Sequence, residues 1–207
     1  AQGTLLLSGA GLRARVTLDP FHVVWEQQDA QGAWHWCCGD RDSYAYAVSP
    51  RSGTLHHWQR RDAADRYFGL GDKTGPLDLH GRRLRTRQLD ALGYDAKTGD
   101  PLYKHWPFLL NHRADTGTAC GIYYDTLAEC AFDLGAEHDN YHGRYRATEV
   151  ADGDLDCYVF AGPDLKAALA RFVAAIGGTF LLVTATMYAV YMAGIYSAMG
   201  VLGHLGD

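Results

Sequence analysis

The sequence predicts a mainly β protein: an antiparallel β-sandwich followed by an amphipathic helix and an apolar C-terminal segment. Up to about residue 161, short alternating or β-branched runs are separated by Gly, Asp, Asn and Pro, which is typical of an all-β sandwich or barrel. A helical periodicity follows Gly162, and a long uncharged stretch follows the helix. We therefore predict a sandwich domain over 1–161, a helix over 162–178 and an apolar segment over 179–207.

The strand predictions depend on the side-chain pattern of each run. Val, Ile, Thr and aromatic residues alternate with polar ones, as they do in strands that bury one face. The last run is an example, because Leu155, Cys157 and Val159 occupy every second position. The predicted strands cover residues 13–18, 21–26, 44–48, 54–59, 121–125, 141–148 and 155–160.

An amphipathic helix is predicted directly after the sandwich. Pro163 stands where the first turn of a helix tolerates proline, and the glycines at 177–178 end the helix. Apolar side chains recur at spacings of four, three and four residues: Leu165, Leu169, Phe172 and Ile176. We expect this apolar stripe to pack against the sandwich.

The apolar segment has two interpretations. Residues 180–202 are uncharged over 23 positions, which is enough to span a bilayer, and Gly194 and Ala198 form a small-xxx-small pair. Tyr, Thr and Ser residues lower its hydrophobicity, so a buried strand and helix of a larger soluble domain is an equal alternative. If the segment spans a membrane, the positive charges of Lys166 and Arg171 lie on its N-terminal side. Positively charged flanks favour the cytoplasmic side, so the sandwich would face the cytoplasm.

Charge and cysteine content exclude several classes of protein. The net charge is -5 with both signs interspersed, which argues against nucleic acid as a partner. Five cysteines, with Cys37 and Cys38 adjacent, make a poor disulfide framework, and there is no CxxC pair for a zinc site. We therefore expect no metal and no cofactor. The cysteine content favours a reducing compartment, and this numbering shows no signal-peptide pattern. We therefore expect the sandwich to be cytoplasmic or to face the cytoplasm.

Three local patterns favour structural roles. The run at 69–74 is similar to a phosphate loop, but Asp72 precedes the lysine where a glycine is needed, and its charge would repel phosphate. His56 and His57 are neighbours in a strand, so they point to opposite faces and cannot chelate together. The arginines that follow alternate in part, which indicates a solvated strand face: Arg82, Arg83, Arg85 and Arg87.

Four ordered blocks of sequence carry a resemblance to a known family. YFGLGDKTGPLD at 67–78 resembles the "FGLGDKTGPLDRRG" strand and turn of family 31 glycoside hydrolases. The segment 89–108 is similar to the "TDA-x-GYD … DPLYKSIPF" run of that family, because it contains LDA, YD, DPLYK and PF in the same order. GIYYD at 121–125 and YVFAGPD at 158–164 follow in the family's order. The resemblance covers roughly residues 1 to 178, and after Gly178 the family's Pro-Pro-Arg-Trp turn is missing.

This resemblance implies a fold and a site. The N-terminal domain of family 31 enzymes, which include α-glucosidases, is a galactose-mutarotase-like sandwich that packs on a (β/α)8 barrel and extends one loop over the barrel mouth. Asp90 matches the loop aspartate of the family, whose carboxylate accepts hydrogen bonds from sugar hydroxyls. Tyr94 and Asp95 lie in the same loop and are weaker substrate-binding candidates. For all three, a role as an ordinary turn residue is the competing interpretation.

The resemblance also implies that this chain has no catalytic residues of its own. Retaining hydrolysis needs two carboxylates about 5 Å apart, one as nucleophile and one as acid/base. In the family both belong to the barrel, so we expect the chain alone to be inactive.

Three functions therefore remain open at the sequence level. The first is the substrate-loop and support domain of an α-glucosidase-like hydrolase, with an α-glucoside or related carbohydrate as ligand and a catalytic barrel domain or another subunit as partner. The second is a non-catalytic membrane-anchored accessory protein that reaches a membrane or a membrane-protein partner through 180–202. The third is a stand-alone sugar-binding module.

Overall fold

The computed structural model of the chain describes residues 3–29, 31–137, 141, 143–177 and 186–193. Thirteen strands, one α-helix with a π-helical turn and a further helix occur in these ranges. The strands are β1 (Thr4–Gly9), β2 (Leu12–Leu18), β3 (Phe21–Gln28), β4 (Trp34–Gly39), β5 (Tyr46–Val48), β6 (Leu55–Arg60), β7 (Asp65–Gly69), β8 (Arg83–Thr86), β9 (Phe108–Arg113), β10 (Ala119–Tyr124), β11 (Cys130–Asp133), β12 (Tyr145–Val150) and β13 (Cys157–Gly162). The helices are α1 (Leu165–Phe172), with the π-helical turn Val173–Gly177, and α2 at 186–193.

The strands form three antiparallel sheets. The first has the order β1-β2-β3-β4, the second β13-β10-β9-β7, and the third β5-β6-β12-β11-β8. A single bridge between Asp40 and Gln59 links the end of β4 to β6, and so joins the first sheet to the third. The predicted mainly β, antiparallel fold class is therefore confirmed.

The core lies between the second and third sheets and also includes the end of β4. Tyr67, Leu109 and Ile122 enter it from the second sheet, and Leu84 and Phe132 enter it from the third. The rings of Tyr124 and Phe132 meet edge to face across this space, with centroids 5.8 Å apart. Side chains from both inner faces thus fill one sandwich core, as two facing sheets require.

Each run predicted as a strand overlaps an observed strand. The alternation of the last run is reproduced in β13, where Tyr158 is exposed while Cys157 and Val159 are partly buried. His56 and His57 do lie on opposite faces of β6, since His57 is buried inside the sandwich and His56 lines the outer face. Arg83, Arg85 and Arg87 are exposed, as predicted for a solvated face, whereas Arg82 is partly buried and donates to the carbonyl of Thr74.

The helix after the sandwich is shorter than the predicted 162–178. The carboxylate of Asp164 accepts the backbone N–H of Ala167 at 2.7 Å, so Asp164 caps the helix and Pro163 precedes the cap. The buried residues of α1 are Ala168, which is fully buried, and Phe172 of the predicted stripe, which is 3% exposed, whereas Leu169 is 42% exposed. Leu169 was therefore wrongly placed in the buried stripe. A Cβ at Gly162 would lie 2.6 Å from the backbone nitrogen of Ala168, so this glycine permits the close approach.

The C-terminal segment is described only in part. Within the described residues, no helix combines the length and the apolarity that crossing a bilayer requires, and the expected transmembrane helix finds no support there. Residues 178–185 and 194–207, which include most of the predicted span 180–202, lie outside the described residues. The chain divides into two compact units, residues 1–169 and 170–207, and the first contains all three sheets.

Candidate functional site

The three substrate-binding candidates lie in one long loop between β8 and β9. This loop, residues 87–107, has no strand or helix of its own. It begins after Thr86, at the end of an edge strand of the third sheet, and returns to Phe108 in the second sheet. Because a loop of this length without regular structure depends on specific contacts for its shape, its anchors decide where Asp90, Tyr94 and Asp95 lie.

A nearly buried ion pair closes the base of the loop. The Lys73 ammonium lies 3.3 Å from Oδ1 of Asp100, and their side chains are only 4% and 15% exposed. The other carboxylate oxygen of Asp100 accepts the backbone N–H of Arg85 at 2.7 Å, and Lys73 donates to the Arg85 carbonyl. Burial lowers the pKa of Lys73, and the facing Asp100 carboxylate opposes that shift. The pair therefore joins the end of the loop to β8.

A second contact fixes the loop beside this pair. The hydroxyl of Thr74 donates to the carbonyl of Gly99 at 2.9 Å, and the Arg82 guanidinium donates to the carbonyl of Thr74 at 2.6 Å. Thr74 is itself 5% exposed. The turn that carries Lys73 and Thr74 thus holds the loop through buried polar bonds, which resist opening because each would leave an unsatisfied group.

The Gly69–Gly71 turn at the end of β7 orients that anchoring segment. Gly69 has φ 102°, and a Cβ there would lie 2.5 Å from the carbonyl oxygen of Phe108. Leu70 is fully buried, has φ 61°, and donates its backbone N–H to the same carbonyl at 2.8 Å. The sequence Gly-Leu-Gly is therefore required by a close backbone crossing at the start of β9.

Asp90 is exposed. Its carboxylate makes no hydrogen bond or ion pair with any of the residues that the structure describes. The other two acidic residues of the loop, Asp95 and Asp100, are both engaged in bonds within the protein. Asp90 is thus the one acid of the loop whose carboxylate has both oxygens uncommitted among the described residues.

Asp95 instead stabilises its own turn. One carboxylate oxygen accepts the backbone N–H of Lys97 at 2.8 Å, the backbone N–H of Thr98 at 2.8 Å and the Thr98 hydroxyl at 2.9 Å. These bonds, led by that from Lys97, hold the pKa of Asp95 below its usual range. The geometry matches the turn-residue interpretation, because Asp favours such local bonds to the backbone.

Tyr94 contributes an aromatic surface. Its ring packs edge to face on Tyr103 with centroids 6.1 Å apart, and Tyr94 remains 48% exposed. The Tyr103 hydroxyl donates to the carbonyl of Ala91 at 3.3 Å, which links the two sides of the loop. The structure therefore presents a partly fixed aromatic ring and a free carboxylate in the same loop.

Sequence reasoning missed the residues that hold the loop. Lys73 and Asp100 both lie in blocks that carry the family resemblance, but they were given no role. The family resemblance did draw attention to both residues, since Lys73 stands in the 67–78 block and Asp100 begins the DPLYK block. Nothing in the sequence, however, indicates that residues 27 positions apart form an ion pair.

A second polar cluster lies inside the sandwich. Asp40 and His57 are 2% and 3% exposed, and His57 Nε2 lies 2.7 Å from Asp40 Oδ1. The other carboxylate oxygen of Asp40 accepts the backbone N–H of Val23 at 2.8 Å and the hydroxyl of Tyr46. His57 Nδ1 lies 2.9 Å from the hydroxyl of Tyr124. Burial, followed by the Asp40 charge, raises the pKa of Tyr46.

This cluster borders a cavity of about 420 Å³ between strands of all three sheets. The cluster joins the sheets to one another, because Val23, His57 and Tyr124 belong to different sheets. Both ring nitrogens of His57 and both oxygens of Asp40 are engaged in it. All of these bonds run between groups of the sandwich itself, so the cluster stabilises the packing of its sheets.

Comparisons with known proteins agree with this architecture. A family model described as the glycosyl hydrolase 31 N-terminal galactose mutarotase-like domain matches residues 1–133. Alpha-glucosidase 2 of Bacillus thermoamyloliquefaciens is 33% identical over 120 residues, which is 58% of this chain and 14% of that protein. A probable alpha/beta-glucosidase of Arthroderma benhamiae is 26% identical over 110 residues, which is 53% of this chain and 13% of that protein. The chain therefore spans only a small part of these relatives.

Solved structures show the same fold. A dextranase of glycoside hydrolase family 31 from Flavobacterium johnsoniae, in complex with glucose, superposes with a TM-score of 0.68 at 23% identity, over 83% of this chain and 19% of the dextranase. The glucosidase II alpha subunit gives a TM-score of 0.58 at 16% identity, over 83% of this chain and 24% of that subunit. The resemblance seen in the sequence is thus confirmed, and this chain belongs to the family of glycosyl hydrolase 31 N-terminal galactose mutarotase-like domains.

Proposed function

We propose that this chain is the substrate-loop and support domain of an α-glucosidase-like glycoside hydrolase. In this proposal a catalytic barrel, on the same polypeptide or on another subunit, supplies the nucleophile and the acid/base. The chain supplies loop 87–107, which presents Asp90 to an α-glucoside or related carbohydrate. The family membership and the relatives named as α-glucosidases support the substrate class.

The observation that carries this proposal is the contrast among the three acids of the loop. Asp100 is used in the ion pair with Lys73, and Asp95 is used in its own turn. Asp90 alone is exposed and has no partner among the described residues. An ionised carboxylate on an anchored loop can accept hydrogen bonds from vicinal sugar hydroxyls, and bonds to charged acceptors are about twice as strong as neutral ones.

The same contrast supports a binding role and not a hydrolytic one. Glycoside hydrolysis needs a second free carboxylate about 5 to 10 Å from the first. Asp100 is paired with Lys73, and Asp95 has one of its two oxygens committed to its own turn, so the described part of this loop offers no second fully uncommitted carboxylate. Asp90 would therefore contribute to substrate binding and orientation, while the bond-breaking groups belong to the barrel.

The test compares two matched substitutions in a protein that contains this chain together with its barrel. Asp90→Asn should lower kcat/KM for an aryl α-glucoside by about 10-fold or more, because it weakens a charged hydrogen bond to the sugar. Asp152→Asn is the control, since Asp152 is an exposed turn residue that donates no group to this loop. It should leave kcat/KM unchanged.

Two results would contradict the proposal. If Asp90→Asn and Asp152→Asn behave alike, Asp90 does not contact the substrate. If the 207-residue chain alone hydrolyses aryl α-glucosides, the proposed division of labour between sandwich and barrel is wrong.

A further inference from the structure

Three buried thiols meet in the core of the sandwich. Cys37 and Cys38 come from β4 and Cys120 comes from β10, and their exposures are 2%, 1% and 1%. All three sulfur atoms lie within 4.8 Å of one another, and the sulfurs of Cys38 and Cys120 are 2.9 Å apart. All three cysteines are free thiols.

A β-bulge explains why two consecutive cysteines share one environment. Neighbouring residues of a regular strand point to opposite faces, so only one of the pair should face the core. Here Trp25 pairs with Cys38 while Glu26 pairs with Trp36, which leaves Cys37 as the extra residue of β4. The bulge rotates the backbone locally and brings both thiols toward Cys120.

A buried amide lies beside these thiols without a partner. Asn111 in β9 is the direct cross-strand neighbour of Cys120, so the two side chains emerge on the same face of the sheet. Asn111 is 1% exposed, and neither its amide oxygen nor its amide nitrogen has a hydrogen-bond partner among the described residues. Such a group costs about 1 to 3 kcal/mol unless something binds it.

A buried cation on the opposite sheet is also incompletely paired. Arg146 in β12 is 2% exposed, and its Nε donates to Oε1 of Gln59 at 3.1 Å. Both of its terminal nitrogens lack a partner, and no carboxylate lies within ion-pairing distance among the described residues. Its guanidinium lies over the ring of Tyr67, which belongs to the same buried core cluster as the three thiols. The core thus places a cation near ionisable thiols.

We propose that Cys37, Cys38 and Cys120 form a closed binding site for a divalent thiophilic metal ion, with Zn²⁺ as the reference ion and the Asn111 amide oxygen as the fourth ligand. Zn²⁺ prefers sulfur and nitrogen ligands in a tetrahedral arrangement, and its structural sites are closed to solvent. On binding, each thiol loses its proton to solvent and a metal–sulfur bond forms. No oxidation or reduction is involved.

The charges favour a divalent ion. Three thiolates carry three negative charges, which one divalent ion and the Arg146 guanidinium together balance. A buried cluster must be close to neutral, because an uncompensated charge in the core is costly. A monovalent ion would leave a net negative charge, and Mg²⁺ or Ca²⁺ would require oxygen ligands.

The distances are compatible with this ion. A Zn–S length of about 2.3 Å in a tetrahedral site places the sulfurs roughly 3.8 Å apart. The Cys38–Cys120 separation of 2.9 Å is shorter than that value, and no separation within the cluster exceeds 4.8 Å. Small side-chain rotations would be sufficient. Since the site is closed, the ion must enter before the sheets close, which couples binding to folding.

The experiment measures metal in the 207-residue chain produced with zinc in the medium and dialysed without a chelator. Elemental analysis should give about one zinc ion per chain. Cys37→Ala and Cys120→Ala should each lower the content by about tenfold or more. Cys130→Ala and Cys157→Ala are matched controls, because both remove a free thiol outside the cluster, and they should retain the zinc.

A second measurement covers the case in which a cluster variant does not fold. The unsubstituted chain is refolded with Cd²⁺ or with a chelator. With Cd²⁺ it should show the ultraviolet cadmium–thiolate absorption at one equivalent and a higher Tm than the chelated chain, because an ion that binds only the folded state stabilises it.

Three outcomes would overturn the proposal. One is a folded chain that holds no metal and has the same Tm with and without Cd²⁺. Another is a metal content that is equal in the cluster variants and the controls. The third is a Cys38–Cys120 disulfide, found by mass spectrometry of the alkylated chain without reduction, in a metal-free protein.

Discussion

At the scale of single residues, burial decides what each carboxylate does. Asp40 is 2% exposed and bonds to groups of three strands, so its charge is used within the protein. Asp42, two positions later, is 69% exposed in its side chain and pairs with Arg60 at the surface. The same functional group thus stabilises the core at one position and is nearly neutral for stability at the other.

The first stability prediction compares these two aspartates. Asp40→Asn should lower the free energy of unfolding by about 3 kcal/mol, because an amide cannot accept all the bonds that the carboxylate receives. Asp42→Asn should change it by no more than about 0.5 kcal/mol. Urea unfolding followed by fluorescence measures both. Equal effects of the two substitutions would show that the buried network contributes no special stability.

At the scale of elements, the long loop is positioned by the segment that follows β7. Lys73 and Thr74 reach Asp100 and Gly99 at the end of the loop, and the Gly69–Gly71 turn aligns that segment on β9. A single buried ion pair therefore links the family's 67–78 block to its DPLYK block. Loosening the pair should disorder the loop before the sheets are affected, because loops open more easily than core strands.

The second prediction compares two Lys–Asp pairs at the loop. Lys73→Met should lower the free energy of unfolding by about 3 kcal/mol, since it leaves the nearly buried Asp100 with only the more distant Arg85 guanidinium, 3.9 Å away. Lys104→Met breaks the exposed pair with Asp72 and should cost at most about 0.5 kcal/mol. Limited proteolysis within 87–107, together with urea unfolding, gives the readout. Unchanged proteolysis of Lys73→Met would mean that the pair does not hold the loop.

At the scale of the whole molecule, burial in the sandwich keeps the thiols outside the cysteine cluster, Cys130 and Cys157, neutral. Cys130 is fully buried, and burial raises its pKa to about 12, with the nearby Thr86 hydroxyl opposing and the Glu129 charge adding to the shift. An unfolded thiol ionises near its ordinary value of 9.0. The folded state therefore keeps a proton that the unfolded state releases, and stability is lost as the pH rises from about 9 to 12.

The third prediction follows from this loss of stability as the pH rises. The free energy of unfolding should fall with pH above about 9, and Cys130 should account for about 1.4 kcal/mol per pH unit of the slope. Cys130→Ala should reduce the slope by that amount, whatever its effect on absolute stability. Urea unfolding at several pH values from about 9 to 11.5 measures it. If the substitution leaves the slope unchanged, Cys130 ionises equally in both states.

Some elements could be predicted from sequence and others could not, for reasons that particular residues show. Runs such as 13–18 and 155–160 alternate, and they form β2 and β13. β1 was missed because Leu5, Leu6 and Leu7 are consecutive, and all three are more than half exposed. β4 was missed because its bulge disrupts the alternation at Cys37. Local periodicity reveals a strand only where one face is buried and the register is regular.

The sequence by itself determined the family, the antiparallel β class and the loop that carries Asp90, because motifs and side-chain alternation are local properties of the chain. Only the tertiary structure decided that Asp100 is committed to the protein, since its partners Lys73 and Arg85 lie 27 and 15 positions away in the chain. It alone also brought Cys120 to Cys38, 82 positions away. Contacts between distant segments depend on how sheets pack, and no local pattern encodes them.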